Sequence, residues 1–135
     1  MADKLFTLEI VTPRKVVYSG EVRSFSAPGV MGGFQVLFNH APLLSAVSVG
    51  KIKLEDKDGT VTELATSGGF VEVKDNKVVM LAESAELPAE IDVPRAQSAK
   101  ERAMNRLAEH RADTDVDRAR ASYDRAVNRL KIARN

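Results

Sequence analysis

The sequence predicts an α+β chain: an N-terminal all-β sandwich or barrel, then a C-terminal antiparallel two-helix hairpin. Three observations carry this reading. Short apolar runs with turn signals about every ten residues fill the first two-thirds of the chain, as a small sandwich or barrel requires. All eight glycines lie at or before Gly69, and six of the seven aromatic residues at or before Phe70. After Pro94 there is neither glycine nor proline, and the last 45 residues hold nine alanines and nine arginines.

The strands come first. Phe6, Leu8 and Ile10 alternate with Thr7, Glu9 and Val11, and the run ends at Thr12-Pro13. Ile52 and Leu54 lead into Asp58-Gly59, after which Val61 and Leu64 return; Asp-Gly tolerates the positive φ of a tight hairpin turn. Phe70 to Val73 and Val78 to Leu81 flank Asp75-Asn76 in the same manner. Two helices follow. Ala96, Ala99, Ala103 and Leu107 recur every three or four residues and share one face. Pro94 suits the first turn, where its missing N–H costs nothing, and Asp92 places a carboxylate at the positive end of the helix dipole. Residues 110–114 break the pattern, and Thr114-Asp115-Val116-Asp117 resembles a capping box with Asp in place of Glu. Val116, Ala119, Tyr123, Ala126, Val127, Leu130 and Ala133 then form a second stripe. The short loop makes the two helices an antiparallel hairpin. Its alanine seam buries little area, roughly 0.8 kcal/mol per methyl-sized group. The hairpin is therefore expected to be marginal alone and to need a neighbour.

Charge divides the chain at the same place. The formal net charge of +1 conceals 9 basic and 12 acidic side chains in residues 1–90, against 11 and 7 in residues 91–135. The first part carries −3 and the second +4. Residues 1–86 are expected to form the β unit, 87–91 a linker, and 92–135 the helical unit. With no cysteine, disulfides, thiolate metal sites and cysteine nucleophiles are excluded. No apolar run approaches the ~20 residues of a membrane span, and Met1-Ala2-Asp3-Lys4 lacks the apolar stretch of a signal peptide.

Catalytic patterns are missing. Gly29, Gly32 and Gly33 do not make a dinucleotide fingerprint, no phosphate loop or Gly-x-Ser-x-Gly elbow occurs, and His40 and His110 stand in unrelated settings. No catalytic residue and no metal site is assigned. His40, within Leu37 to Leu44, reads as a loop histidine holding a turn before Pro42. Ser67-Gly68-Gly69-Phe70 reads as a bend or bulge between strands. The arginines allow two readings. Arg95 and Arg102 are seven apart on one helix face, Arg125 and Arg129 four apart on the other helix, and antiparallel pairing brings Arg95 level with Arg129. Guanidinium forks match phosphate oxygens two at a time, so a polyphosphate is one reading. A solvated face paired with Glu101, Asp124 and other local acids is the other.

Over essentially all 135 residues the chain resembles the epsilon subunits of F-type ATP synthases. The resemblance rests on Glu9-Ile10-Val11-Thr12-Pro13, on Leu37 to Leu44 around His40-Ala41-Pro42-Leu43, and on Ser67-Gly68-Gly69-Phe70-Val71-Glu72-Val73. Ala85-Glu86, then Ile91-Asp92-Val93-Pro94-Arg95-Ala96 and Ala99-Lys100-Glu101-Arg102-Ala103, extend it. The resemblance implies a non-catalytic rotor subunit of the ion-translocating complex, peripheral on the cytoplasmic side of a bacterial plasma membrane. Its sandwich would bind the gamma subunit and the c-ring. Its hairpin would fold on the sandwich or extend toward the alpha and beta subunits and inhibit ATP hydrolysis. Some bacterial members bind ATP as a regulatory ligand through an Ile/Leu-Asp-x-x-Arg-Ala motif. Carried over position by position, Glu86, Asp92, Arg95, Arg102, Arg125 and Arg129 match ligand-contacting positions. Two other classes remain as competitors: a free-standing ATP-sensing module, and a basic-hairpin nucleic-acid adaptor, the latter weakened by the lack of aromatics among the arginines.

Overall fold

Alternation of apolar and polar side chains becomes alternation of burial along β1 (Phe6–Val11), where Phe6, Leu8 and Ile10 point inward. This is a computed structural model that describes residues 4–133; the reading of the chain start and the last two residues of the helical unit lie outside them. Six further strands follow: β2 (Val16–Ala27), β3 (Phe34–Val36), β4 (Leu43–Val47), β5 (Gly50–Asp56), β6 (Val61–Lys74) and β7 (Lys77–Glu86). Their hydrogen-bonded order is β1-β7-β6-β5-β2-β3, with β4 on β6 and β1 also paired to β2. The pairing of β1 with β2 closes a ring of five strands, which removes open edges from the core layers. Two long strands make this possible. The first half of β2 pairs with β1 and its second half with β5, with a register shift between Val22 and Ser24. Likewise β6 serves β5 with residues 61–66 and β4 with residues 69–73.

The turn between those halves of β6 is the Ser67-Gly68-Gly69 segment, where the register to β7 shifts twice. Gly68 and Gly69 have φ of 122° and 150°. A Cβ on Gly69 would run into Leu81 O and lie 2.9 Å from Ala82 Cα. Only glycine lets β6 turn this tightly against β7. The hairpin turns follow the sequence reading: Asp75 and Asn76 both have positive φ, and Asp56 Oδ1 accepts from the N–H groups of Asp58 and Thr60 ahead of and after Gly59. Inside the sandwich Phe25, Leu8, Ile10, Ile52, Leu54, Leu64 and Met80 are fully buried.

A 3-10 turn (Pro88–Glu90) links β7 to α1 (Val93–Glu109), and α2 (Val116–Ala133) returns. Glu90 Oε1 accepts from Leu87 N–H at 3.0 Å, and Asp92 Oδ1 caps α1 by accepting from Arg95 N–H at 3.1 Å. The cap of α2 is Asp115 rather than the expected Thr114: its Oδ1 accepts from Arg118 N–H at 3.0 Å, and its carbonyl takes the first helical bond from Ala119. Thr114 instead closes the loop by donating its N–H to Arg111 O. His110 ends α1 in the left-handed conformation. Ala96 and Ala103 of α1, with Ala119, Ala126 and Leu130 of α2, are buried in the seam. The hairpin lies on the sandwich chiefly through α2, which meets β5, β6 and the 3-10 turn. That contact is small: Ile132 packs with Ile91 and Ala65, bordered by Ala133. Asn128 Nδ2 adds hydrogen bonds to Gly50 O at 2.8 Å and Thr66 O at 3.4 Å.

Candidate functional site

Where α1, α2 and the β6–β7 corner meet, the side chains are short: Ala65, Ala99, Ala126, Ser67, Ser84 and Ser122. Short side chains at a three-way junction leave space, and a cavity of about 490 Å³ opens there. That falls within the range of small-molecule sites. Among the described residues Arg14, Arg95, Arg125, Arg129 and Glu86 stand around it, four guanidiniums against one carboxylate, for a net of +3. The β corner adds hydroxyls. Ser67 Oγ and Ser84 Oγ lie 2.7 Å apart, and Thr66, buried, donates its hydroxyl to Ser84 O at 2.8 Å.

One charge is already matched. Arg129 Nη2 donates to Glu86 Oε2 at 2.9 Å, and its Nε lies 2.8 Å from Oε1 without the alignment of a hydrogen bond. Both side chains are about a quarter exposed, 29% and 26%. The pair thereby ties α2 to the end of β7. Among the described residues Arg125 donates only to Ser122 Oγ, at 3.2 Å, one turn back on its own helix. Among the described residues no carboxylate lies within ion-pair distance of Arg14, Arg95 or Arg125. Three uncompensated guanidiniums facing one cavity repel each other, and an anion between them relieves that repulsion.

The fold thus brings Glu86, Arg95, Arg125 and Arg129 to one cavity, although Glu86 and Arg129 are 43 residues apart. Asp92 does not line it; its carboxylate caps α1 and so fixes the backbone that carries Arg95. Arg102 does not line it either and stands exposed two turns along α1. Of the acids weighed as local partners for the arginines, Glu101 takes the Gln97 amide at 3.3 Å instead. Arg14, Ser67, Ser84 and Asn128 line the cavity and escaped the arginine-spacing argument. The Ser67-Gly68-Gly69 bulge signal marked the corner without showing what faces it. His40 is as read: its Nδ1 lies 2.6 Å from Ala41 O inside the loop.

A second surface is apolar. Directly opposed residues on neighbouring strands share a face, and Ala46, Phe70, Leu81 and Val11 form one such row across β4, β6, β7 and β1. Phe70 and Leu81 are 57% and 59% exposed, too much for a row of large apolar side chains without a reason.

A β-sandwich with a lightly docked helical hairpin, its polar chemistry gathered at their junction, is a class of chain built from two modules. Each module has a counterpart among known proteins. Residues 5–88 match the family described as ATP synthase, Delta/Epsilon chain, beta-sandwich domain, and residues 89–134 its long alpha-helix domain. The chain belongs to this family of ATP synthase delta/epsilon chains. Among its relatives is the ATP synthase epsilon chain of Syntrophomonas wolfei, 46% identical over 107 residues, covering 79% of this chain and 78% of that one. The ATP synthase epsilon chain of Carboxydothermus hydrogenoformans is 50% identical over 108 residues, covering 80% and 79%. The fold is shared with a chain of the Euglena gracilis mitochondrial ATP synthase, seen by cryo-EM with OSCP, F1 and the c-ring. There the TM-score is 0.82 at 18% identity, with 98% of this chain and 82% of that one covered. No described helix is long and apolar enough to cross a membrane.

Proposed function

We propose that the chain is a non-catalytic central-stalk subunit of an F-type ATP synthase whose hairpin restrains ATP hydrolysis and whose junction cavity takes ATP as a regulatory ligand. The observation that carries the regulatory part is the cavity of net +3 walled by both units. A ligand filling it touches the sandwich through Ser84 and Glu86 and the hairpin through Arg95, Arg125 and Arg129, so it favours the docked hairpin over any other position. The magnitudes suit a switch. Burying Ile132 contributes roughly 1.5–3 kcal/mol and each Asn128 hydrogen bond about 1 kcal/mol, before the entropy of docking is subtracted. A ligand at a hundred times its Kd adds about 2.7 kcal/mol, which is comparable.

In this account the sandwich docks in the stalk through its apolar Ala46–Phe70–Leu81–Val11 row, with the gamma subunit and the c-ring as partners. The hairpin, when released, carries its excess of arginines to the alpha and beta subunits. The chain then sits peripherally on the cytoplasmic face of a bacterial plasma membrane, held there by the complex. It takes part in coupling ion translocation to ATP synthesis without an active site of its own.

Calorimetric titration of the isolated chain with ATP tests the ligand. Binding that is lost in Arg95→Ala with Arg129→Ala is expected. No heat at millimolar ATP, or unchanged binding in the double variant, contradicts it.

A further inference from the structure

We infer that Arg14, on the turn between β1 and β2, is the sandwich's own phosphate-binding residue in the hairpin cavity, an inference that rests on the polyphosphate reading of that cavity. Arg14 lines the same cavity as Arg95, Arg125 and Arg129, and among the described residues it is the one cation there that the sandwich supplies. Its neighbours hold it in place. Thr12 N–H donates to Lys15 O at 2.9 Å and Lys15 N–H to Thr12 Oγ1 at 3.3 Å, while Pro13 fixes its own φ. Lys15 Nζ then reaches Glu90 Oε2 at 3.5 Å, which fastens the turn to the linker that enters α1. Arg14 is thus carried on a braced turn at the junction.

Its guanidinium has no structural work there. The side chain is exposed and has no ion-pair partner among the described residues; its backbone N–H alone bonds, to Thr12 Oγ1 at 3.4 Å. Glu86 neutralises Arg129, which leaves Arg14, Arg95 and Arg125 as the three uncompensated guanidiniums around the cavity. Three forks match the three phosphoryl groups of a nucleoside triphosphate, one from the sandwich, one from α1 and one from α2. The ligand would then be gripped from three separate elements. A hairpin that left the sandwich would part Arg14 from the other two, so the full set exists only in the docked state.

The test compares the full-length wild type with Arg14→Gln and Arg14→Lys, using ATP and inorganic tripolyphosphate as probes. Arg14→Gln is expected to weaken both about tenfold, with Arg14→Lys between, and without ligand all three chains melt together. Binding to Arg14→Gln that equals wild type, while Arg95→Ala with Arg129→Ala abolishes it, overturns the role of Arg14 and leaves the cavity reading standing. A wild type that binds neither probe overturns both. A ligand-free loss of thermal stability in Arg14→Gln marks the residue as structural and also overturns the inference.

Discussion

At the scale of single residues, the positions that matter most are those where two units or two strand segments come closest. Gly69 is one. Replacing it with alanine forces a side chain into positive φ and against the Leu81 carbonyl, backbone that has nowhere to go. Gly69→Ala should cost at least about 3 kcal/mol, seen as a lower urea midpoint of the sandwich with an unchanged slope. Stability within a few tenths of wild type would contradict the corner geometry. Asn128 is another. Its amide satisfies two sandwich carbonyls from α2, and Asn128→Ala should cost about 2 kcal/mol, roughly a thirtyfold rise in hairpin opening by amide exchange of α2. Exchange in the sandwich core should stay as it was. The arginines were legible because helix periodicity fixes their spacing. Arg14 was not, since it shares a cavity with the hairpin arginines only through the fold, from about eighty residues away in sequence.

At the scale of elements, the same contrast recurs. β1 was readable from its one buried face, and the β5–β6 and β6–β7 hairpins also from turns with positive φ at Gly59 and at Asp75-Asn76. β2 was harder. It changes partners at the Val22/Ser24 shift, and no side chain before Val22 is fully buried, so its alternation is broken. Ile132 lies off the α2 stripe that faces α1, because it serves the sandwich instead. Ile132→Ala should cost about 2–4 kcal/mol, confined to docking. Two thermal transitions are expected, the hairpin first and the sandwich at its wild-type temperature; one shared, lowered transition would mean that the units do not separate.

The linker has its own pH dependence. The Leu87 N–H holds the Glu90 carboxyl below its ordinary value of 4.5; desolvation offsets part of this, and the Lys15 ammonium adds to the lowering. A depressed carboxyl contributes stability above its unfolded value and loses it as pH falls through the folded one. Residues 87–91 should therefore exchange amide protons faster in acid below that range, and Glu90→Gln should show part of this loosening at pH 7. Equal protection of the linker at pH 3 and pH 7, normalised for intrinsic rates, would contradict it.

At the scale of the whole molecule, a near-zero net charge hides an acidic sandwich and a basic hairpin, joined among the described residues over a small apolar contact, the Asn128 hydrogen bonds and the Arg129–Glu86 ion pair. Family membership explains why both units occur in one chain. So light a join suits the regulatory role proposed for the hairpin, since such an arm needs two packings within a few kcal/mol of each other. The most direct test is the rate of ATP hydrolysis by the assembled ATP synthase carrying either the full chain or a chain ending at Glu90. Faster hydrolysis with the truncated chain, most marked at low ATP, is the predicted result. Equal rates across the whole range of ATP concentrations would contradict a restraining hairpin.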